Sequence, residues 1–212
     1  MPLQNRVNPY GEIVANAARG AWMGNRGCIH GNDRQLTSKR WTRKAWIICE
    51  LSYRGLHRNV MAPGEYTELF FLDEATALAA GHCPCGTCRK AALNDLVAAW
   101  RSTGGLSDSG LSVRDDTLHS QRTAVIGKAA LPSTDLASIP NGCMIALERG
   151  GDAYLVSEER LLKWSFSGYV RGPDIARNMK AILITPPVIK EIIAHGYSPQ
   201  EHHSASLVRQ GL

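Results

Sequence analysis

The chain has 212 residues, of which 44% are hydrophobic and 20% are charged, and its formal net charge is +5. This composition is typical of a globular protein and excludes a largely disordered one. No apolar run approaches the length of a membrane span, and residues 1–15 lack the charged and then apolar layout of a secretory signal. We therefore expect a cytoplasmic protein with no membrane partner.

The positive charge is concentrated at the start of the chain. Residues 1–60 contain ten Lys and Arg against three Asp and Glu, whereas the remainder is close to neutral. Such a basic region favours a polyanion as partner, here DNA, although a solvated basic surface is the alternative interpretation. The residues that we expect to contact nucleic acid are Arg26, Lys39, Arg40, Arg43, Lys44 and Arg89.

The first candidate metal ligands lie in residues 19–30, a segment that contains three glycines. Cys28 and His30 are two residues apart, so in an extended segment both side chains leave the same face. They are candidates for one half of a four-ligand site. For His30, a surface or hydrogen-bonded histidine is an equally good interpretation.

The next segment, residues 39–46, places basic residues around Trp41 and Trp46 and leads into an apolar strand. Its charges are suited to phosphates and its indoles to stacking on bases, although the tryptophans also fit as core anchors. Cys49 in the following strand, and Cys143 in a second apolar run, are interpreted as small buried hydrophobic residues.

Residues 66–101 predict a strand, a short helix, a cysteine pair and a second helix. Asp73 is a good N-cap for the first helix, and Gly81 ends it. Cys85 and Cys88 have two residues between them and precede the second helix, so both sulfurs can bind one metal ion. In a reducing cytoplasm this spacing favours Zn²⁺ over a disulfide.

Residues 70–89, FFLDEATALAAGHCPCGTCR, resemble the second half of the zinc domain of Ada-type methylphosphotriester-DNA repair proteins. The resemblance implies that Cys85 and Cys88 are zinc ligands and that two further ligands come from an upstream segment. In that family the upstream ligands are a cysteine pair, closer to the second pair than Cys28 is. We assign Cys28 and His30 to this role, with His57, His82 and Cys83 as further candidates for the fourth ligand.

The break at residues 102–105 suggests two regions, 1–104 and 105–212. Residues 115–122, if helical, place His119 on one face with an acid and with Arg122. His119 and Asp116 are therefore candidate catalytic residues, although a solvated helix face is the alternative. Further on, a hairpin is predicted around Gly150, a helix capped by Thr185 follows, and the tail with His202 and His203 is expected to be loosely structured.

Together these patterns predict an α+β protein with a zinc-knuckle N-terminal half, built on a small sheet and two helices, and a strand-rich C-terminal half. The favoured function is a zinc-stabilised DNA-binding protein in the repair or recognition of modified DNA. One alternative is a zinc-dependent enzyme, either transferring an alkyl group to Cys28 or hydrolysing DNA with His119 or Asp116 assisting. Another is a structural zinc adaptor that binds protein or RNA.

Overall fold

The computed structural model of the chain describes residues 1–55, 59–105, 111–126, 131–158, 160–176 and 178–211. These residues form two six-stranded sheets and five α-helices, which confirms the predicted α+β class. None of the helices in the described ranges is long and apolar enough to cross a membrane.

The first sheet comes entirely from the N-terminal half. Its strands, in chain order, are β1 (Gln4–Val7), β2 (Ile13–Ala15), β3 (Trp22–Asn25), β4 (Ile47–Cys49), β5 (Leu69–Phe71) and β6 (Cys83–Pro84). The order across the sheet is β2-β1-β5-β3-β4-β6. Two neighbouring pairs are parallel, β1 with β5 and β4 with β6, and the others are antiparallel.

The second sheet comes from the C-terminal half and is antiparallel throughout. Its strands are β7 (Ser133–Asp135), β8 (Met144–Ala146), β9 (Ala153–Ser157), β10 (Arg160–Ser165), β11 (Gly168–Arg171) and β12 (Lys180–Leu183). They are arranged in the order β11-β10-β9-β8-β12-β7. The predicted hairpin around Gly150 is present as β8 and β9, in which Met144 pairs with Leu155.

The helices are α1 (Glu74–Ala79), α2 (Lys90–Ser102), α3 (Leu111–Ile126), α4 (Pro187–Ala194) and α5 (His203–Gln210). Asp73 caps α1 as predicted, because its carboxylate accepts the Thr76 amide N–H. Thr185 does not cap α4, since Pro186 occupies the N-cap position and the Thr185 hydroxyl instead accepts the Met144 amide N–H. The tail is not loosely structured, because α5 occupies most of it.

A single hydrophobic cluster runs through both halves of the chain. It contains Val7 and Trp100 from the N-terminal half together with Leu183 and Tyr197 from the C-terminal half. Helix α2 packs against α4, and α1 contacts β8. The two halves therefore share apolar surface that each would expose if separated from the other.

The Glu74 carboxylate at the start of α1 binds the C-terminal tail. Glu74 forms an ion pair with Arg89 at 2.8 Å in which both side chains are almost fully buried. The same carboxylate accepts the Tyr197 hydroxyl at 2.6 Å and the Gln200 amide N–H at 3.0 Å. The Arg89 guanidinium also lies 3.9 Å from the centre of the Trp22 ring. These contacts satisfy both members of the buried ion pair.

We expect the substitution Glu74→Ala to reduce the free energy of unfolding by about 3–5 kcal/mol, because it leaves the Arg89 guanidinium buried without a counterion. The matched control is Asp174→Ala, which breaks a solvent-exposed ion pair with Arg171 and should cost less than about 1 kcal/mol. Urea denaturation followed by tryptophan fluorescence measures both. If both substitutions reduced the free energy of unfolding equally, the buried ion pair would contribute no more to stability than the exposed pair.

Candidate metal centre

Three cysteines from separate parts of the N-terminal half come together at one end of the first sheet. Strands β4 and β6 run parallel with Ile47 opposite Cys83 and Ile48 opposite Pro84. This register places Cys49, the last residue of β4, beside Cys85, and the Cys85 amide N–H donates to the Ile48 carbonyl at 2.9 Å. Cys88 follows on the turn that leads into α2.

The sulfurs of Cys49, Cys85 and Cys88 all lie within 4.8 Å of one another. A tetrahedral zinc ion with Zn–S bonds of 2.3 Å would hold its sulfurs about 3.8 Å apart, so this spacing needs only small movements to accept the ion. All three cysteines are unpaired thiols. The group can therefore hold a metal ion.

The immediate surroundings of the three thiols are apolar. Met23 and Cys49 are buried, and the partly buried side chains of Ile47, Tyr66 and Phe70 pack against them. Cys88 is the most exposed of the three cysteines. The sheet would shield a bound ion from water on one side. Solvent would reach the ion from the side of Cys88.

The turn between the two neighbouring cysteines directs backbone donors at one sulfur. The Thr87 amide N–H donates to Cys85 Sγ at 3.4 Å, and the Arg89 amide N–H closes the turn on the Cys85 carbonyl at 3.0 Å. Gly86 does not have a positive φ, and a Cβ at this position would meet only Leu93 at 3.4 Å. The geometry of this turn therefore does not depend on the conformational freedom of glycine.

The three thiols do not ionise equally. A hydrogen bond from the Cys49 thiol lowers the pKa of Cys85, whereas that hydrogen bond, together with burial, raises the pKa of Cys49. Burial raises the pKa of Cys88. Without a cation the group therefore favours one thiolate, and a divalent cation would stabilise the deprotonated form of all three.

The structure does not bring Cys28 and His30 into this group. The two ring nitrogens of His30 are occupied by the Thr67 hydroxyl at 2.6 Å and the Ala62 carbonyl at 3.1 Å. His30 is thus a hydrogen-bonded histidine, which was the alternative interpretation. Cys28 is half-buried, and its sulfur lies 3.7 Å from the His30 carbonyl oxygen.

The other candidates for a fourth ligand also lie outside the group. His82 is fully buried and accepts a hydrogen bond from Arg26 at 3.3 Å. Cys83 is buried between the sheet and the helices, and burial raises its pKa to about 12. His57 lies outside the described residues. Within the described ranges, three sulfurs are the complete group of clustered ligands.

The candidate catalytic residues His119 and Asp116 lie on α3 and do not join the cysteine group, and neither does Cys28, the candidate alkyl acceptor. His119 accepts hydrogen bonds from the Arg122 guanidinium, and its ring lies edge-on to Trp41 at 5.2 Å. Burial and the charges of Arg122 and Lys44 lower the pKa of His119. Asp116 forms a solvent-exposed ion pair with Lys44 at 2.7 Å.

The basic residues expected to contact nucleic acid fall into two sets. Lys39, Arg40, Arg43 and Lys44 are exposed in the segment that precedes β4. Arg26 and Arg89 are buried, and the charge of Arg89 is compensated by Glu74. Arg89 is therefore paired in the interior of the protein and does not lie on its surface.

Cys49 is the ligand candidate that the sequence interpretation missed. It is buried, as predicted, but it also belongs to the cysteine group. The signal that pointed to it was distance along the chain, because the resemblance called for upstream ligands closer to Cys85 than Cys28 is. An apolar strand around a cysteine favoured the simpler interpretation of a buried hydrophobic residue.

Comparison of the chain with models of known protein families, with curated proteins and with solved structures gives no match.

We expect the substitution Cys49→Ser to lower the metal content of the purified protein substantially, because it removes one of three clustered sulfurs. The matched control is Cys28→Ser, which should leave the metal content unchanged. Elemental analysis of both variants beside the unmodified protein measures the difference. Loss of metal from the Cys28 variant alone would argue against Cys49, Cys85 and Cys88 as the ligands.

Proposed function

We propose that the protein binds zinc through Cys49, Cys85 and Cys88 and uses the zinc-stabilised end of its first sheet to support DNA binding. The observation that carries the proposal is the convergence of three thiols from two distant segments, one of which directly follows the exposed basic residues 39–44. The partial resemblance of residues 70–89 to Ada-type zinc domains supports the same conclusion.

Zinc is the metal that fits the donor set best. Three thiolates form a soft, negatively charged site, which selects zinc over magnesium or calcium. Three protein ligands leave one position of a tetrahedral ion for water or for a residue outside the group. The bound ion would link β4 to the turn before α2, and so reinforce the short parallel pairing of β4 with β6.

The proposed DNA contact surface is the exposed segment 39–44. Lys39, Arg40 and Arg43 lie on the surface, and Trp41 is 37% exposed between them. Charged side chains of this kind bind phosphates, and an exposed indole can stack on an unpaired base. Trp46, by contrast, is 1% exposed and is a core residue, so only Trp41 is available for stacking.

We expect the double substitution of Arg40→Gln and Arg43→Gln to weaken DNA binding about tenfold at low salt and to reduce the slope of log K against log salt by up to about two. The matched control is Arg171→Gln, which removes an exposed arginine of the second sheet. Fluorescence anisotropy with duplex and single-stranded oligonucleotides measures both. Salt-independent binding, or no binding to either oligonucleotide, would argue for the adaptor function instead.

A second candidate function is transfer of an alkyl group from DNA to a zinc-bound thiolate. The specific observation in its favour is that all three clustered ligands are cysteines, since a thiolate-rich set keeps the sulfur electron-rich. In the transfer, the sulfur forms a bond to the methyl carbon of a methylphosphotriester. The bond between that carbon and the ester oxygen breaks, and its electrons remain on the phosphodiester.

We expect the protein to gain the mass of one methyl group when it is incubated with methylphosphotriester DNA, if it has this activity. Mass spectrometry of the intact protein detects the gain, and peptide mapping distinguishes Cys28 from the three clustered cysteines. A matched incubation with unmodified DNA should give no gain. Unchanged mass after both incubations would leave zinc with a purely structural role.

A further inference from the structure

Two buried arginines near the opposite end of β4 and β6 form no ion pair with any described carboxylate. Arg26 is 0% exposed and Arg122 is 1% exposed. Their guanidinium carbons lie 4.1 Å and 4.2 Å from the centre of the same Trp46 ring, and the charge of Arg122 contributes to lowering the pKa of Arg26. Among the described residues, no carboxylate forms an ion pair with either guanidinium.

One hydrogen bond orients the Arg26 guanidinium, but the rest of its hydrogen-bonding capacity is not used. Its Nε donates to His82 Nε2 at 3.3 Å. Its two terminal nitrogens, Nη1 and Nη2, are buried and have no hydrogen-bond partner in the described part of the chain. Because both belong to one planar group, they form a two-pronged donor that matches two oxygens of an oxyanion.

Arg122 contributes a second buried charge, and burial lowers its pKa to about 10 against the smaller opposite effects of Cys83 and Asp115. Its terminal nitrogens donate to the carbonyls of Gly81 and Lys44 and to the ring of His119. All of these acceptors are uncharged, since burial and nearby positive charges lower the pKa of His119. Gly81 has φ +83° and lies against the Arg122 side chain, where a Cβ would approach to 2.5 Å. The close approach of α3 to this turn therefore holds Arg122 in place.

His82 does not supply the missing negative charge. Burial, followed by the charges of Arg26 and Arg122, lowers its pKa well below the usual value, so the ring is neutral at physiological pH. Burial and the charges of Arg122 and Arg40 also lower the pKa of Arg26, to about 9, and no acid opposes them. Buried cations are normally paired, and buried polar atoms normally have a partner.

We propose that Arg26 and Arg122, beside Trp46, form a binding site for a phosphate group. The two free nitrogens of Arg26 take two phosphate oxygens, and the charge of Arg122 neutralises the remainder. Arginine is well suited to this role because its fixed fork binds phosphate in a bidentate manner.

The exposed segment 40–44 provides the route to this site. The amide N–H groups of Thr42 and Arg43 donate to the Arg26 carbonyl at 2.8 Å and 3.2 Å, so the segment lies directly over Arg26. Arg40 on the same segment is exposed and close enough to perturb Arg26. The segment has no helix or regular strand, and a small displacement of it would open the buried arginines to an anion that Arg40 attracts.

The test uses inorganic phosphate and the full-length protein. At constant ionic strength, we expect phosphate to raise the thermal unfolding midpoint, with chloride as the reference, because it binds the folded state only. The ³¹P NMR line of phosphate should broaden when unmodified protein is added. The proposal is overturned if phosphate acts no differently from chloride and its line is unaffected.

The variant that tests the site is Arg26→Met, which keeps a long apolar side chain beside Trp46 and removes the charge. We expect it to unfold at the same or a higher temperature than the unmodified protein without phosphate, because an unpaired buried charge has been removed. It should lose the phosphate response, with binding weakened at least tenfold. Arg171→Met is the exposed control and should keep the full response.

A conservative variant of Arg26 and a set of oligonucleotides test the site further. Arg26→Lys keeps the charge but loses the fork, so its phosphate affinity should lie between those of the methionine variant and the unmodified protein. If Arg26→Met retains the full phosphate response, the site is elsewhere and the proposal fails. Short oligonucleotides with and without a 5′-phosphate distinguish a nucleic-acid phosphate from the free ion as the natural source, independently of the zinc site.

Discussion

The parallel pairing of β4 with β6 determines the position of both candidate sites. At the carboxyl end of the pair, Cys49 meets Cys85, and the group of three cysteines that could hold a metal ion forms. At the amino end, Trp46 and His82 lie side by side with their rings 5.1 Å apart, and the buried arginines gather around the indole. With a rise of about 3.3 Å per residue, the two ends of this short strand are only about 10 Å apart. A metal ion bound at one end and an anion bound at the other would both stabilise the pairing of β4 with β6.

The buried charged groups of this protein have two different kinds of surroundings. The carboxylates of Asp73 and Glu74 are surrounded by donors, including Arg89 and the hydroxyls of Tyr169 and Tyr197. These bonds join α1 to the C-terminal tail and compensate the cost of burial. Arg26, by contrast, has a hydrogen-bond partner for one nitrogen and, among the residues that the structure describes, none for the other two. The first arrangement is typical of a structural core and the second of a site that is completed by a ligand.

Much of the region around the cysteine pair could be predicted because its determinants are local. Asp73 caps α1 three residues ahead of Thr76, and Cys85 and Cys88 meet across a single turn. The predicted partner Cys28 and the actual neighbour Cys49 both lie far upstream, and only the resemblance, through its shorter distance between ligand pairs, favours Cys49. The hydrogen bonds of His30 could not be predicted from spacing, because its partners, Thr67 and Ala62, lie more than thirty residues away.

The sequence by itself determined the α+β class, the first helix with its cap, the turn that carries two thiols, and the exposed basic segment before β4. Each of these depends on residues within a few positions of one another, so propensity and spacing were sufficient. Only the tertiary structure decided that Cys49 completes the group of sulfurs and that Arg26 and Arg122 share one tryptophan. These relations depend on which strands pair and in what register, and on which side chains lose their contact with water.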